Sequence, residues 1–330
     1  MRVHKPVMLK EALEFLVPEP GRRFLDATAG AGQHCRAVLE RIVPGGLIVG
    51  LDRDEDMLAL ARRYLNQTEL PEEAWRLFHL SYRDLDQAAE KAGLSEKGFD
   101  GILFDLGVAS PQIDQPGRGF SFQKDGPLDF RFDKSQSLTG YEVINRWPEK
   151  EILCIFYEYG DIRKPGAMAG RICRMRAKQP IETTAQLAQV IRKGIPPKRR
   201  TTRRDPATVY FQAIRIAVNK ELEHLSRGIQ LALEYLAPKG VCVALSYHSG
   251  EDRIVKRAFA SASRRGDKKD REFELLTKKP VYPTEEEIRE NPRARSARLR
   301  AIRRRRPYRK SDKEDLNRIP LPGFPKEARR

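Results

Sequence analysis

Glycines and carboxylates in the first third of the chain are spaced as a nucleoside-binding site requires. Gly30 and Gly32 follow Asp26 in the stretch DATAGAGQH, where glycine lets the backbone turn sharply and approach a ligand closely. Asp52 lies 20 positions after Gly32, where an acid can accept hydrogen bonds from both hydroxyls of a ribose. Asp105 ends a later apolar run, ILFD. If these runs are parallel strands, we expect the three aspartates to converge on one crevice at the strands' carboxyl ends.

The loop favours a nucleoside cofactor without a pyrophosphate. The dinucleotide fingerprint G-x-G-x-x-G places a pyrophosphate at a helix N-terminus, and its third glycine is missing after Gly32. An Asp-x-x-x-Gly-x-Gly loop followed by an acid at the end of the second strand is typical of Rossmann-like S-adenosylmethionine methyltransferases. The competing interpretation is an ordinary strand-to-helix turn with a solvated Asp52.

The elements that must position this loop alternate between strand and helix. Buried strands are predicted for four short apolar runs, 23–27, 47–51, 75–80 and 100–105. Helices are predicted between them at 34–43, 54–65 and 83–92. Strands that alternate with helices of this length form βαβ units around a parallel sheet. The pattern resumes late, with a helix at 206–236 and strands at 241–248, 273–278 and 296–302.

Between these α/β stretches the chain changes character. Residues 106–136 are rich in Gly, Pro and Ser and are too long for an ordinary loop. Helical segments without strands follow at 138–146, 149–158, 161–177 and 183–194. We therefore predict an α/β fold, a Rossmann-like methyltransferase sheet with an inserted helical domain. Its predicted parts are a discontinuous methyltransferase domain (1–109 and 206–302), a helical insertion (110–205) and a basic, disordered tail (303–330).

Charge and composition indicate which class of partner and which cellular compartment to expect. The chain has 330 residues with 63 Lys+Arg against 46 Asp+Glu, a net charge of +17, which indicates a polyanionic partner, most commonly nucleic acid. No apolar stretch is long enough for a transmembrane helix, and the N-terminus is typical of neither a signal peptide nor a transit peptide. Four cysteines without a CxxC pair exclude a disulfide scaffold and a zinc-ribbon site. We expect a cytoplasmic protein with no membrane partner.

Basic residues concentrate in the predicted insertion, which we therefore expect to recognise RNA. They form two clusters, at 163–178 and 192–204, and the second has seven basic residues and no acid. Candidate phosphate contacts in the second cluster are Arg199, Arg200, Arg203 and Arg204. A solvated charged face is the alternative interpretation of either cluster alone.

Aromatic residues alternate with arginines in the same insertion. The residues concerned are Phe120, Phe122, Phe130 and Phe132, with Arg118 and Arg131 close by. Flipped bases often stack on aromatic rings beside arginines, so Arg118 and Arg131 are further candidates for RNA binding. The alternative for the phenylalanines is apolar packing that docks the insertion onto the sheet.

Five stretches of the chain closely resemble one family. They are HKPVMLKEAL (4–13), DLGVASPQIDQPGRGFSFQKDGPLDFRFD (105–133), PATVYFQAIRIAVNKEL (206–222), LSYHSGEDRIVKR (245–257) and NPRARSARLR (291–300). Together they resemble the bacterial 16S (small-subunit) rRNA cytosine-N4 methyltransferases over about residues 3–303. The resemblance implies S-adenosylmethionine-dependent methylation of the exocyclic N4 amine of one cytidine in the decoding region. It implies 16S rRNA as the partner, expected within the small ribosomal subunit, and leaves a homodimer open.

The resemblance also assigns cofactor positions. They fall on Gly32, Gln33, His34, Asp52, Tyr82, Asp105 and Gln112, and the loop residues Asp26 and Gly30 join them from the spacing argument. The chain departs from the family pattern at three places. The family usually reads GGHS where this chain reads GQHC (32–35), and FHSLEDR where it reads YHSGEDR (247–253). It often has Phe in place of Tyr82.

The chemistry expected is direct methyl transfer without a metal. None of the four cysteines follows a strand in the Pro-Cys or Thr-Cys context of carbon-5 cytosine methyltransferases. Asp105 and Ser110 are candidates for holding the target amine; alternatively, Asp105 contacts only the cofactor and Ser110 caps a turn. His248 is a candidate for accepting a proton or contacting RNA. The alternative is that His248 has a purely structural role.

Two other functions remain open from the sequence. One is an amino-methyltransferase that acts on DNA or on a protein. The other is an RNA-binding ribosome-assembly factor that retains the fold without turnover. The intact set of Asp26, Asp52 and Asp105 favours an enzyme.

Overall fold

The computed structural model describes residues 5–196, 205–264 and 271–306. These residues form two compact units. The sheet unit consists of the residues up to Gly107 and those from Leu222 onward, and the helical unit consists of Val108–Glu221. In sequence, the helical unit is therefore an insertion into the sheet unit.

The strands of the sheet unit form one sheet in the order β3-β2-β1-β4-β5-β7-β6. Their bounds are β1 (Arg23–Asp26), β2 (Leu47–Asp52), β3 (Trp75–His79), β4 (Phe99–Asp105), β5 (Leu236–Ser246), β6 (Phe273–Leu275) and β7 (Arg298–Arg304). Strands β1 to β5 pair in parallel, whereas β7 runs antiparallel to both of its neighbours. The predicted α/β fold class is confirmed.

The strand order reverses at β1, which lies between β2 and β4. The register places Asp26 of β1 opposite Gly50 of β2 and Leu103 of β4. The carboxyl ends of these three strands therefore open at the same edge of the sheet. In open α/β sheets this is the position at which ligands bind.

Helices of the sheet unit follow the apolar periodicity of the sequence. They are α1 (Leu9–Leu16), α2 (Gln33–Ile42), α3 (Glu55–Asn66), α4 (Leu85–Lys91), α11 (Glu221–Tyr235), α12 (Ser249–Ser263) and α13 (Glu285–Glu290). Helix α2 buries Cys35, Val38, Leu39 and Ile42, because apolar residues recur on one of its faces. Helix α3 begins after Asp54, whose carboxylate accepts a hydrogen bond from the backbone N–H of Asp56 at 3.0 Å.

The helical unit has its own hydrophobic core. Its helices are α5 (Ser110–Asp114), α6 (Gly140–Arg146), α7 (Glu149–Glu158), α8 (Gly166–Arg176), α9 (Thr184–Gly194) and α10 (Ala207–Asn219). Thr139 and Thr183 begin α6 and α9 with capping boxes, which satisfy backbone N–H groups that the helices leave free. Phe130, Phe156 and Ile172 are fully buried in this core.

The second domain boundary differs from the predicted one. The sequence predicts a single helix over 206–236 in the sheet unit, but the chain breaks it at Lys220, whose φ of 50° is left-handed. Helix α10 belongs to the helical unit, where Phe211 contacts Phe130 with ring centroids 5.4 Å apart. Periodicity missed the break because Asn219 and Lys220 interrupt the pattern for less than one turn.

The predicted start of a disordered tail at residue 303 is wrong. Strand β7 continues through Arg304, which is 1% exposed. Its guanidinium donates to the carbonyls of Leu233, Glu234 and Leu236 and forms an ion pair with Glu272. The run of four arginines suggested solvent exposure, but successive side chains of a strand point to opposite faces of the sheet, so Arg304 is buried while its neighbour Arg303 is partly exposed. Residues 307–330 lie outside the described part.

Within the described ranges, the helices are too short or too polar to cross a lipid bilayer.

The buried Arg304 yields a stability prediction. Arg304→Ala should lower the free energy of unfolding by about 3–5 kcal/mol, because it leaves Glu272 and several carbonyls without their buried partner. Arg305→Ala is the matched control, since the side chains of Arg305 and its partner Glu274 are both partly exposed to solvent, and its cost should stay below about 1 kcal/mol. Urea denaturation followed by circular dichroism measures both, and equal losses would contradict the structural role of Arg304.

Candidate active site

Three aspartates end neighbouring strands of the sheet unit. Asp26 is the last residue of β1, Asp52 of β2 and Asp105 of β4. Thr28 connects two of them. Its N–H donates to Asp26 Oδ1 at 3.1 Å, and its hydroxyl oxygen accepts from the backbone N–H of Asp105 at 2.7 Å. The sheet therefore brings the three carboxylates to one edge.

The carboxylate of Asp26 supports the loop from within. It is 1% exposed and accepts from the backbone of Thr28 and from the thiol of Cys35, at 3.3 Å. Burial raises its pKa, and the nearby His34 opposes that rise. These contacts show that Asp26 supports the backbone of the loop, and its predicted contact with the cofactor stays a prediction.

The glycine loop is fixed by Asp52 and by close packing. The backbone N–H of Gly30 donates to Asp52 Oδ2 at 2.8 Å. Gly32 has a left-handed φ of 89°, and a Cβ there would lie 3.2 Å from the Cα of Ala61 in α3. Only glycine meets both conditions without strain. Helix α2 begins at the next residue, Gln33, which is half-buried.

The Asp52 carboxylate is half-buried at the end of β2. Its second oxygen accepts from the backbone N–H of Asp54 at 2.9 Å. Burial raises the pKa of Asp52 to about 6, although the two backbone donors oppose the rise. A carboxylate oxygen has two lone pairs, so each oxygen can accept a further hydrogen bond from a ligand hydroxyl.

His34 and Tyr247 contact the two oxygens of Asp105. His34 Nδ1 lies 3.6 Å from Asp105 Oδ2, and the Tyr247 hydroxyl donates to Oδ1 at 2.5 Å. His34 is 7% exposed, and within the described part of the chain its Nε2 is buried without a hydrogen-bond partner. Burial raises the pKa of Asp105, with His34 and Tyr247 opposing the rise.

His248 acts as a helix cap. Its Nδ1 accepts from the backbone N–H of Glu251 at 3.4 Å, and its Nε2 lies 3.1 Å from Glu251 Oε1. Glu251 in turn accepts from the backbone N–H of Tyr247 at 2.8 Å. These contacts favour the structural alternative for His248 over the predicted role as proton acceptor.

Tyr82 is held by contacts on both sides. Its ring meets Phe104 edge-on, with centroids 5.8 Å apart, and a Cβ at Gly228 of α11 would lie 2.7 Å from it. The neighbours Ser81 and Arg83 both contact the buried His224, at 3.3 and 3.2 Å. Helix α11 therefore fixes the turn that carries Tyr82.

Two candidates of the helical unit lie at its first helix. Ser110 is the first residue of α5, and Gln112 is 4% exposed with its Oε1 accepting from the backbone N–H of Ala109 at 2.8 Å. Gln112 thus caps the helix. The predicted cofactor role of Gln112 and the predicted amine contact of Ser110 stay predictions.

Arg118 and Arg131 both make contacts within their own loop, which favour a structural role, and their assignment to RNA stays a prediction. Arg118 is 4% exposed and donates to the carbonyls of Arg131 and Phe132 at 2.9 and 3.0 Å. Arg131 binds both carboxylate oxygens of Asp129 and the carbonyls of Lys134 and Gln136. The sequence could not show these contacts. An arginine that donates to carbonyls of its own loop and an arginine that binds phosphate can stand in the same local sequence.

The phenylalanines pack within the helical unit. Phe120 stacks on Phe132 with centroids 5.2 Å apart, and Phe122 meets Phe211 edge-on at 4.8 Å. Asn219 fixes this loop by donating to the carbonyl of Phe130 at 2.7 Å. Apolar packing against α10 therefore explains the alternation. Arg199, Arg200, Arg203 and Arg204 lie outside the described residues.

Comparison with known proteins decides the family. The sequence model of the MraW methylase family matches residues 1–305. The chain belongs to the MraW methylase family. Its relatives include ribosomal RNA small subunit methyltransferase H of Pseudothermotoga lettingae, 44% identical over 305 residues that cover 92% of this chain and 99% of the relative. The protein of the same name from Thermomicrobium roseum is 43% identical, with 91% of this chain and 93% of the relative covered.

This MraW methylase is therefore a methyltransferase, and two of its departures from the family pattern have local explanations. Cys35 is completely buried, and a Cβ at Gly50 would lie 3.2 Å from its sulfur. A Cβ at Gly250 would lie 3.1 Å from His248 Nδ1, so glycine leaves room for the cap.

Sequence reasoning missed three supporting residues of the methylase. Thr28 lies inside the cofactor loop, where a threonine gives no signal beside the glycines. Tyr247 stood out only as a departure from the family pattern. His224 lies more than 140 positions from Ser81, so no local pattern could pair them.

The cysteines of the methylase should differ in reactivity. Burial raises the pKa of Cys35 and of Cys242 well above the usual value of a thiol, whereas Cys154 and Cys173 are half-buried. With iodoacetamide at pH 8, Cys154 and Cys173 should be modified first, because the thiolate is the reactive form. Peptide mass spectrometry measures the order, and urea-unfolded protein is the control in which all four react. Early modification of Cys35 would contradict the structure.

Proposed function

We propose that this protein methylates the exocyclic N4 amine of one cytidine in the decoding region of 16S rRNA, with S-adenosylmethionine as donor. The observation that carries the proposal is the family match over residues 1–305. The relatives covered almost end to end are named ribosomal RNA small subunit methyltransferase H. We propose the small ribosomal subunit as the substrate particle and the cytoplasm as the location.

The residues at the sheet edge fit an adenosyl cofactor. Asp52 offers free lone pairs to ribose hydroxyls. The loop at Gly30 and Gly32 presents backbone without a Cβ, and the buried Nε2 of His34 can form one further hydrogen bond. Tyr82 is the aromatic ring that we assign to the cofactor from the family positions. When bound, S-adenosylmethionine supplies an electrophilic methyl group on a sulfonium.

Asp105 is the residue that we assign to the target amine. The lone pair of cytosine N4 is delocalised into the ring, so the amine is a poor nucleophile. A carboxylate that accepts a hydrogen bond from the N4–H group orients the amine and favours loss of its proton. His34 and Tyr247 hold the Asp105 carboxylate from two sides. His248 is already used as a helix cap.

The helical unit is the part that we assign to RNA recognition. It carries exposed basic residues on α8 and on either side of it: Arg163, Lys164, Arg174 and Lys178. Lysines and arginines at a surface bind phosphates without reading bases. Arg171 and Arg176 of the same segment donate to backbone carbonyls instead.

The direct test compares nucleosides of 16S rRNA from cells with and without this gene by mass spectrometry. N4-methylated cytidine should disappear with the gene and return on incubation of the deficient small subunits with the purified protein and S-adenosylmethionine. Methylation of DNA or protein instead would support the first alternative function. Cofactor binding without any transfer would support an assembly factor.

The raised pKa of Asp52 gives a prediction for cofactor binding. Ribose hydroxyls donate to the ionised carboxylate, so the affinity for S-adenosylhomocysteine should fall as the pH drops through about 6, the pKa of Asp52. Asp52→Asn should weaken binding at pH 8 by about 1.5–3 kcal/mol and lose the pH dependence. Calorimetry measures both, and Asp86→Asn on α4 is the control for charge. If the affinity of Asp52→Asn at pH 8 stays within threefold of wild type, Asp52 does not bind the cofactor.

The arginines at 199, 200, 203 and 204 give a prediction for RNA. Charge reversal of all four to Glu should weaken RNA binding and leave cofactor affinity unchanged. Each phosphate contact on single-stranded RNA contributes about 0.7 to the slope of log K against log salt, so the slope should fall by up to about 3. The matched control reverses four basic residues of the sheet unit, Arg62, Arg63, Lys91 and Lys97. Equal slopes for both variants would mean that only net charge matters.

A further inference from the structure

Tyr247 brings a hydroxyl to the carboxylate that we assign to the target amine. It follows the last residue of β5, and Asp105 ends the adjacent strand β4, with Asp105 opposite Leu245 in the register. The phenol oxygen lies 2.5 Å from Asp105 Oδ1.

Two contacts fix the phenol ring in place. The backbone N–H of Tyr247 donates to Glu251 Oε2 at 2.8 Å. Gly107 has a φ of 100°, and a Cβ there would lie 3.3 Å from the ring. The residue that carries the hydroxyl therefore contacts the start of α12 through Glu251 and the chain just after β4 at Gly107.

We propose that Tyr247 is a positioning residue for Asp105, which fixes Oδ1 and thereby orients Oδ2 beside His34. This proposal rests on the function proposed for Asp105. A hydrogen bond that holds one oxygen restricts rotation of the carboxylate, so its second oxygen keeps a narrower range of directions toward the group from which it accepts. Charge-assisted hydrogen bonds of this kind are among the strongest in proteins.

Every charged group that faces Asp105 affects its ionisation. Burial raises its pKa, and the carboxylates of Asp26 and Glu251 raise it further, whereas His34 and the Tyr247 hydroxyl lower it. The pKa of Tyr247 itself is raised by burial and by Asp105, Glu251 and Glu287. Tyr247 therefore keeps its proton and donates it in a hydrogen bond, which favours the ionised form of Asp105.

The test is Tyr247→Phe, which keeps the ring and removes only the hydroxyl. The acidic limb of the pH–rate profile for methyl transfer should move upward by about one pH unit, since a hydrogen bond to a charged group of this strength corresponds to about that shift. At pH values above the limb, the rate should also fall several-fold, because Oδ1 of Asp105 is no longer held by the hydroxyl. A structural role alone would lower the rate at every pH without moving the limb.

A second measurement does not depend on activity. The hydroxyl stabilises ionised Asp105, so the loss of unfolding free energy in Tyr247→Phe should grow as the pH rises through the pKa of Asp105. Tyr210→Phe, which removes a buried hydroxyl in the helical unit, should show a loss that does not vary with pH. In an Asp105→Asn background, Tyr247→Phe should show none of the pH-dependent loss.

The outcomes separate the two proposals. A wild-type protein without methyl transfer to 16S rRNA would overturn the proposed function, whatever the unfolding data show. An active wild type together with an unmoved acidic limb in Tyr247→Phe would overturn the role of Tyr247. A destabilisation by Tyr247→Phe that is equal at all pH values would also overturn it.

Discussion

Burying three carboxylates at one edge of a sheet is the constraint on which the rest of the structure depends. Desolvation raises the pKa of Asp26, Asp52 and Asp105, so the fold must supply donors to keep them as anions. It does so mainly with backbone N–H groups, those of Thr28, Gly30 and Asp54. The same hydrogen bonds fix the conformation of the loop. They therefore stabilise the carboxylate charges and set the geometry of the site at once.

The sheet and its aspartates could be predicted because their signals are local. Apolar runs that end in Asp26, Asp52 and Asp105 indicate both the strand and its carboxyl end, and the loop glycines follow directly. The start of β5 was placed too late, at 241 instead of Leu236, because Pro238 and Gly240 are typical of turns. The short helices α1 and α13 were missed, since each spans eight residues or fewer.

The roles of arginine and phenylalanine in the insertion could not be predicted, and the reason is physical. Arg118 and Arg131 of the insertion, like Arg304 of β7, are residues of the type that binds phosphate, but each donates to backbone carbonyls instead. Guanidinium has five donors and suits both tasks. Only the fold decides which carbonyls need a donor. Local composition therefore indicated a polyanionic partner but not which groups each arginine contacts.

The position of β7 has a consequence for synthesis of the chain. It lies between β5 and β6, close to the C-terminal end of the described residues, and β6 reaches the rest of the sheet only through it. The sheet therefore cannot be completed during synthesis until β7 has emerged from the ribosome, long after the first four strands. The helical unit, which is continuous in sequence, can fold earlier. During that interval the unpaired edge belongs first to β4, until β5 has emerged, and then to β5, until β7 has emerged. An unpaired strand edge is a site at which a nascent chain can pair wrongly.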